Sequence, residues 1–470
     1  MTWLAVAVAV PLVIALAPAQ AVAPPPVPTD GIETPVEPSP AEAPPNPPAA
    51  SPSTEPERAE GAVADVPAAV RESMQRHREE LKESGVRDLG WQLSDPMMVG
   101  EGAQWQLSNG TVYWLAGLGS KAVWSRHLKK YVAFGGPRGE LGFPVSDVEA
   151  ARVSGATRSR YQDGRIYDSS RTGTHEIHGP IATRFVALGA ELKFGLPVTD
   201  EGGGGLGATR ASSLQKGRIY WHPTTGAVGL WGRTLSKYIS KGGARAWFGL
   251  PTREQRLVGN TYRADFARAA IVTSRSTWAV RVIAPYSATS YSVTRTSLGR
   301  TYRSGCPVGP SSLRRLRLVY RDWYGDATAG DLVVHRNVVG DIRRVFEDAH
   351  EAKFNVRRIR PMSAYGGDDI RAMEDDNTSA FNCRKVTGNP YRLSQHSYGN
   401  AIDINTFENP YVTSSRVYPE GSETYLNRGN YRKGMLMSWN SIPRRMRAEG
   451  WPWGARWSNP DYQHFSSNGG

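Results

Sequence analysis

The stretch Ser394-Gln395-His396-Ser397-Tyr398-Gly399-Asn400-Ala401-Ile402-Asp403-Ile404-Asn405 sets a histidine and an aspartate seven residues apart. A neutral imidazole nitrogen and a carboxylate oxygen are both good zinc ligands. A second constellation, Asp461-Tyr462-Gln463-His464-Phe465, puts an acid three residues before a histidine. That spacing suits a metal ligand with a base beside it. His396, Asp403 and His464 would hold one zinc ion per chain and leave a fourth position open. Zinc there polarises a scissile carbonyl and brings the pKa of a water in the open position towards 7. Asp461 would then take the proton of the attacking water and pass it to the leaving amine. An arginine is expected near the developing oxyanion. Singly, each residue has an ordinary reading: a structural histidine, a turn-capping aspartate, a solvated acid, an incidental C-terminal histidine. Only the joint pattern is specific. His335 and His350 are rival ligands if that pattern fails.

These side chains need a scaffold that brings them to one point. The Gly399 turn followed by the alternation Ala401, Ile402, Asp403, Ile404 predicts a turn running into a strand. Upstream, Asp331–His335 reads as a short strand. Val338–Ala352 reads as a helix through Val339, Ile342, Val345, Phe346 and Ala349, and Phe354–Met362 as a second strand. The pattern is α+β, without a repeating βαβ order. The domain is expected over 306–470, opening on irregular sequence. Residues 284–305, rich in Ser, Thr, Tyr and Arg, read as a linker.

The two motifs resemble the zinc D-Ala-D-Ala carboxypeptidases and L-Ala-D-Glu endopeptidases that cut bacterial cell-wall peptides (the VanY-like metallopeptidases). Ser394, His396, Gly399, Ala401 and Asp403 match the first hallmark, S-x-H-x-x-G-x-A-x-D; Asp461 and His464 match the acid-x-x-H. Trp451-Pro452-Trp453-Gly454 and Phe465 also look like the family. The resemblance spans roughly 330–467 and implies a small antiparallel sheet flanked by helices, with zinc on one sheet face. It further implies an oxyanion arginine near Asp376–Arg384. Arg384 is the first choice and Arg371 the reserve; a surface or salt-bridged arginine is the plain alternative for Arg384. Gly454-Ala455 and Ser466 depart from the pattern of relatives, close to where substrate would lie.

Upstream lies a repeat. Leu141-Gly142-Phe143-Pro144, Phe194-Gly195-Leu196-Pro197 and Phe248-Gly249-Leu250-Pro251 each lead into an acid three residues on: Asp147, Asp200 and Glu254. A degenerate copy runs from Leu89 to Asp95, so the glycines stand at 90, 142, 195 and 249. A second element recurs between them, as in Gly164-Arg165-Ile166-Tyr167 and Gly217-Arg218-Ile219-Tyr220. Fixed-period similarity means an array of small modules, here over 89–283, each read as an aromatic β-hairpin, a short helix and a Gly-Pro turn. The units resemble LGFP repeats of exported actinobacterial proteins, which implies attachment to the cell wall. The plainer reading is a spacer whose aromatics are all core.

Residues 1–23 carry an apolar run ending in Ala-x-Ala and read as a secretory signal peptide, although no Lys or Arg precedes the run. The rival is an uncleaved membrane anchor, and contact with a membrane is expected only in that case. Residues 24–60, dominated by Pro and Ala, read as a disordered extended linker, and 61–88 as one short amphipathic helix. Two cysteines, Cys306 and Cys383, argue against a thiolate zinc site; export would permit one disulfide between them, against two buried thiols. The net charge of +13 favours polyanions, yet no nucleic-acid motif is present. The sequence therefore reads as a monomeric, exported α+β wall hydrolase acting on peptidoglycan. The other readings are a non-catalytic wall-binding scaffold with a peptidase-like domain, and a zinc peptidase acting on a free D-Ala-D-Ala dipeptide.

Overall fold

The computed structural model describes residues 65–386 and 389–469. The expected signal peptide and Pro-rich linker lie outside the described residues. None of the described helices is long and apolar enough to cross a membrane. The described chain is α+β, with many small antiparallel sheets and few helices.

The expected N-terminal helix spans Ala68–Glu83 and buries Val70, Met74 and Leu81. They join a core with Leu89, Trp105 and Tyr131 of the first module. Four modules follow. Each is a four-stranded antiparallel meander, beginning at Met97, Glu149, Gly202 and Pro251 and ending at Trp124, His178, Trp231 and Ile283. The expected hairpin is thus only part of a larger sheet, whose first strand shrinks to two residues in the second and third modules, Glu149–Ala150 and Gly202–Gly203. Helices Ser125–Ala133, Gly179–Ala187 and Gly232–Ser240 link successive sheets.

The repeat motif closes each module. Its glycines all take positive φ: 80° at Gly90, 68° at Gly142, 71° at Gly195 and 81° at Gly249. There a side chain would be strained. The neighbouring Leu89, Leu141, Phe194 and Phe248 are fully buried. The hydroxyls of Tyr131 and Tyr238 donate to the carbonyls of Gly142 and Gly249. The recurring tyrosines are therefore core: Tyr113, Tyr167 and Tyr220 are each at most 3% exposed. The exposed aromatics Trp91 and Trp278 stand outside that pattern.

The repeat acids join the modules. Asp147 accepts the Ala122 N–H at 2.7 Å and meets His77 Nε2 at 2.8 Å. Asp200 accepts from Glu176 N–H at 3.1 Å and Lys130 Nζ at 2.7 Å. Glu254 accepts from Gly229 N–H and takes Arg184 in a two-pronged pair at 2.7 Å. In each case the acid of one module holds the last strand of the module before it and the helix before that strand. The fourth rung comes from the C-terminal domain. Asp326, in the turn between strands Leu313–Arg321 and Ala327–His335, accepts Val282 N–H at 2.9 Å and Lys237 Nζ at 2.5 Å. Val319 and Ala327 of that hairpin enter the core of the fourth module. The C-terminal domain is seated where a fifth module would be.

Burial alone would raise the carboxyls of Asp200, Glu254 and Asp326. Hydrogen bonds from Lys130, Arg184 and Lys237, among others, outweigh it and hold all three low. Groups depressed on folding stabilise above their unfolded values, about 3.9 for Asp and 4.3 for Glu. That contribution is lost as pH falls through the lower folded values. The calorimetric melting temperature is expected to fall steeply below about pH 4, and less steeply in Asp326→Asn; parallel profiles would contradict this role.

Residues 284–305, expected as a linker, are part of the C-terminal domain. Strand Ala288–Ser292 pairs with Leu313–Arg321, which pairs with Ala327–His335. The opening of the domain is thus a sheet, not irregular sequence. Its alternating Leu316, Leu318 and Tyr320 enter the main core. The expected helix spans Val339–Glu351. The expected strand 354–362 shrinks to Arg358–Ile359, paired in parallel with Asn377–Thr378. Side chains replace its ladder: Asn405 accepts Arg357 N–H and Asn377 accepts Arg360 N–H.

Candidate metal centre and active site

Three elements deliver the three candidate ligands. Ser394 caps the 3₁₀ turn Gln395–Tyr398 that carries His396. Gly399 ends it at φ 70°. A Cβ on Gly399 would stand 2.8 Å from the His335 nitrogen, so only glycine lets this turn close on the neighbouring strand. The chain then enters strand Ala401–Asp403, which pairs antiparallel with His464–Ser466. In that register Asp403 lies directly opposite His464. Ser379 bridges Asp403 from the other side. Gly399→Ala is expected to cost about 1–3 kcal/mol from backbone strain alone; chemical denaturation measures it, and an unchanged midpoint would contradict the steric argument.

The ligand atoms converge. His396 Nε2 is 3.0 Å from Asp403 Oδ2 and 3.2 Å from His464 Nδ1, which is 2.8 Å from Asp403 Oδ1. All three residues are buried. His396 Nδ1 faces the Ala380 carbonyl at 2.5 Å and therefore carries the proton in the neutral ring. Its Nε2 is then a bare lone pair aimed at a carboxylate and a second imidazole. A cation among the three would be met by all three donor atoms at once. A tetrahedral zinc site with bonds near 2.0–2.1 Å sets its ligand atoms about 3.3 Å apart, close to what these residues present. Burial opposes charge on both groups, but Asp403 raises the affinity of His396 for a proton, and His396 with His464 holds Asp403 low.

Asp461 is buried in the same cleft, and its Oδ1 has no hydrogen-bond partner within the protein. Burial pushes its carboxyl up to about 8, with His464 opposing and Asp403 adding. Its backbone N–H donates to Gly454. A Cβ at Gly454 would come within 2.7 Å of the Asp461 carbonyl, which explains that glycine. Trp453 stacks on Phe465 at 5.6 Å and backs the ligand strand.

Arg384 lines this cleft and pairs with Asp369 at 2.6 Å. Its backbone is tied to the ligand turn: its N–H donates to Ser397 Oγ, which donates in turn to its carbonyl. Beside it, Cys306 and Cys383 form a disulfide with Cα atoms 5.9 Å apart. Arg371 is exposed on helix Asp369–Glu374 and does not reach the cleft. The rival histidines lie elsewhere: His335 Nδ1 accepts Asn337 N–H, and His350 Nε2 meets the Ala284 carbonyl. Asp369, Arg392, Tyr411 and Trp457 also line the cleft and were not singled out from sequence. Only Arg392, two residues before Ser394, had a motif beside it to draw attention.

Residues 387–467 match the D-alanyl-D-alanine carboxypeptidase family. The chain carries a domain of that peptidase family. Residues 141–192 and 194–245 match the LGFP repeat, so the peptidase domain follows an LGFP array. These matches support a peptidase-type hydrolase associated with the cell wall. No curated protein matches the chain. Among solved structures, an AfRom2 CNH domain is 8% identical with a TM-score of 0.11, over 50% of this chain and 80% of that one. A complex of S. cerevisiae Dbp5 with Nup159 and Gle1 gives the same identity and score, over 50% of this chain and 59% of that one. Likenesses this weak carry no argument.

Proposed function

We propose that the peptidase domain is a zinc-dependent enzyme that hydrolyses peptidoglycan stem peptides at a bond involving a D-amino acid. The LGFP array holds it on the wall, and the protein reaches the wall by export through its N-terminal segment. The convergence of His396 Nε2, Asp403 and His464 Nδ1 beside a buried Asp461 whose Oδ1 has no hydrogen-bond partner carries this reading.

Zinc held by the three ligands supplies Lewis-acid polarisation of the scissile carbonyl. Ala380 fixes the His396 tautomer so that Nε2 faces inward. The Asp461 carboxyl, whose charged form a cation held by the three ligands would favour against its burial, takes a proton from the attacking water at Oδ1 and returns it to the departing amine nitrogen. Arg384, positioned by Asp369 and Ser397, presents its guanidinium to the oxygen on which charge develops. Trp457 and Tyr411 flank the cleft and limit solvent around the reacting bond.

Purified wall digested with the protein, and analysed by mass spectrometry, is expected to yield new peptide ends. Loss of terminal D-Ala identifies a carboxypeptidase; release of an internal fragment identifies an endopeptidase. A digest without new ends refutes the catalytic reading, and full activity after chelation refutes the zinc dependence.

A further inference from the structure

The junction between the fourth module and the peptidase domain holds a second groove, distant in sequence from the metal centre. Its floor is the outer face of the sheet formed by Ala288–Ser292 and Leu313–Arg321, whose inner face supplies Leu316 and Leu318 to the peptidase core. In this register Thr289 lies opposite Arg317, and Tyr291, two residues on, shares the face. The facing wall comes from the array: Arg245, Trp247 and Arg268.

Three arginines line the groove and no carboxylate does. All three are exposed. Arg245 and Arg268 spend Nε on the carbonyls of Gly205 and Trp247, which fixes each guanidinium and leaves its outer edge to the groove. Tyr291 is 50% exposed, and the Trp247 indole N–H finds no acceptor within the protein. The surrounding module deepens the field: residues 251–283 hold six arginines and two carboxylates. Both walls are rigid relative to each other, because the Asp326 pairs and the shared core fix the hairpin on the module.

We infer that this groove is a binding site for an anionic saccharide polymer. The guanidinium forks of Arg245, Arg268 and Arg317 grip carboxylate or phosphate groups along the chain, and Tyr291 offers a ring face to the sugars. The inference rests on the wall-anchoring reading and gives it a location. The recurring aromatics of the modules do not provide one, since they are core.

Calorimetric titration of the full chain with a polygalacturonate oligosaccharide, and separately with a hexose-phosphate polymer, tests it; the polymer that binds names the anion. The triple variant R245Q/R268Q/R317Q is expected to weaken that binding at least about tenfold. The charge-matched variant R76Q/R138Q/R171Q, altered at exposed positions in the N-terminal helix and the first two modules, should change it less than about twofold. Equal losses in the two variants would mean a diffuse field and overturn the site, as would wild type binding neither polymer. Stem-peptide hydrolysis serves as the folding control for both variants. Binding without hydrolysis by wild type would leave the groove standing and remove the catalytic reading.

Discussion

Asp461→Asn lowers the turnover of stem peptide by about 10²–10⁴-fold, the usual worth of a positioned acid–base group, while zinc content and melting temperature stay near wild type. The substitution preserves shape and removes only the capacity to take a proton. Two features make it a clean test. The Asp461 backbone N–H, not its carboxylate, makes the hydrogen bond to Gly454 that anchors this segment. The side-chain Oδ1 has no partner to lose. A buried carboxylate oxygen without a partner is costly for folding, so Asn is expected to hold or slightly raise stability. The measurement is kcat by chromatography of released product, with calorimetry in parallel. Turnover within about threefold of wild type would remove Asp461 from the proton path.

His396→Ala abolishes zinc binding at ordinary concentrations. Loss of an outer hydrogen-bond partner alone costs a metal ligand about 10–100-fold in affinity, and removing the ligand costs more. Zinc affinity is therefore expected to fall by well over about 100-fold, read by titration against a metal indicator and independent of any activity. Asp403 and His464 remain as a cross-strand pair, but two donors do not make a closed site. His350→Ala is the matching control. Its ring lies against the Ala284 carbonyl, so zinc binding should not change. Unaltered zinc affinity in His396→Ala would overturn the ligand assignment.

Much of the candidate site was legible in sequence because its logic is local. His396, Gly399 and Asp403 lie within one turn and one strand, and their spacing reflects that geometry. Arg384 was only half legible, since its place depends on Asp369 and on the disulfide segment, which meet it through tertiary contacts. The expected linker failed for a different reason. Ser, Thr, Tyr and Arg in 284–305 look like solvated chain, yet Ala288–Ser292 is an edge strand whose outer face is polar. Strand Leu313–Arg321 alternates leucine with arginine, a period of two that its arginines disguised. The repeat glycines were readable because positive φ admits few residues. What the acids after them do was not, because each grips a module its own sequence does not contain.

That ladder of acids has a mechanical consequence. An enzyme tethered by a flexible linker sweeps a volume set by linker length. Here Asp326 stands in the place of Asp147, Asp200 and Glu254, so the hydrolase is bolted to the array and shares its heading. On the anchoring reading the assembly works as a caliper: one jaw grips polymer, the other cuts at a constant offset and angle. Stem peptides at other offsets are reached only when the grip lets go and closes again elsewhere, which ties the pace of cutting to the residence time of the anchor.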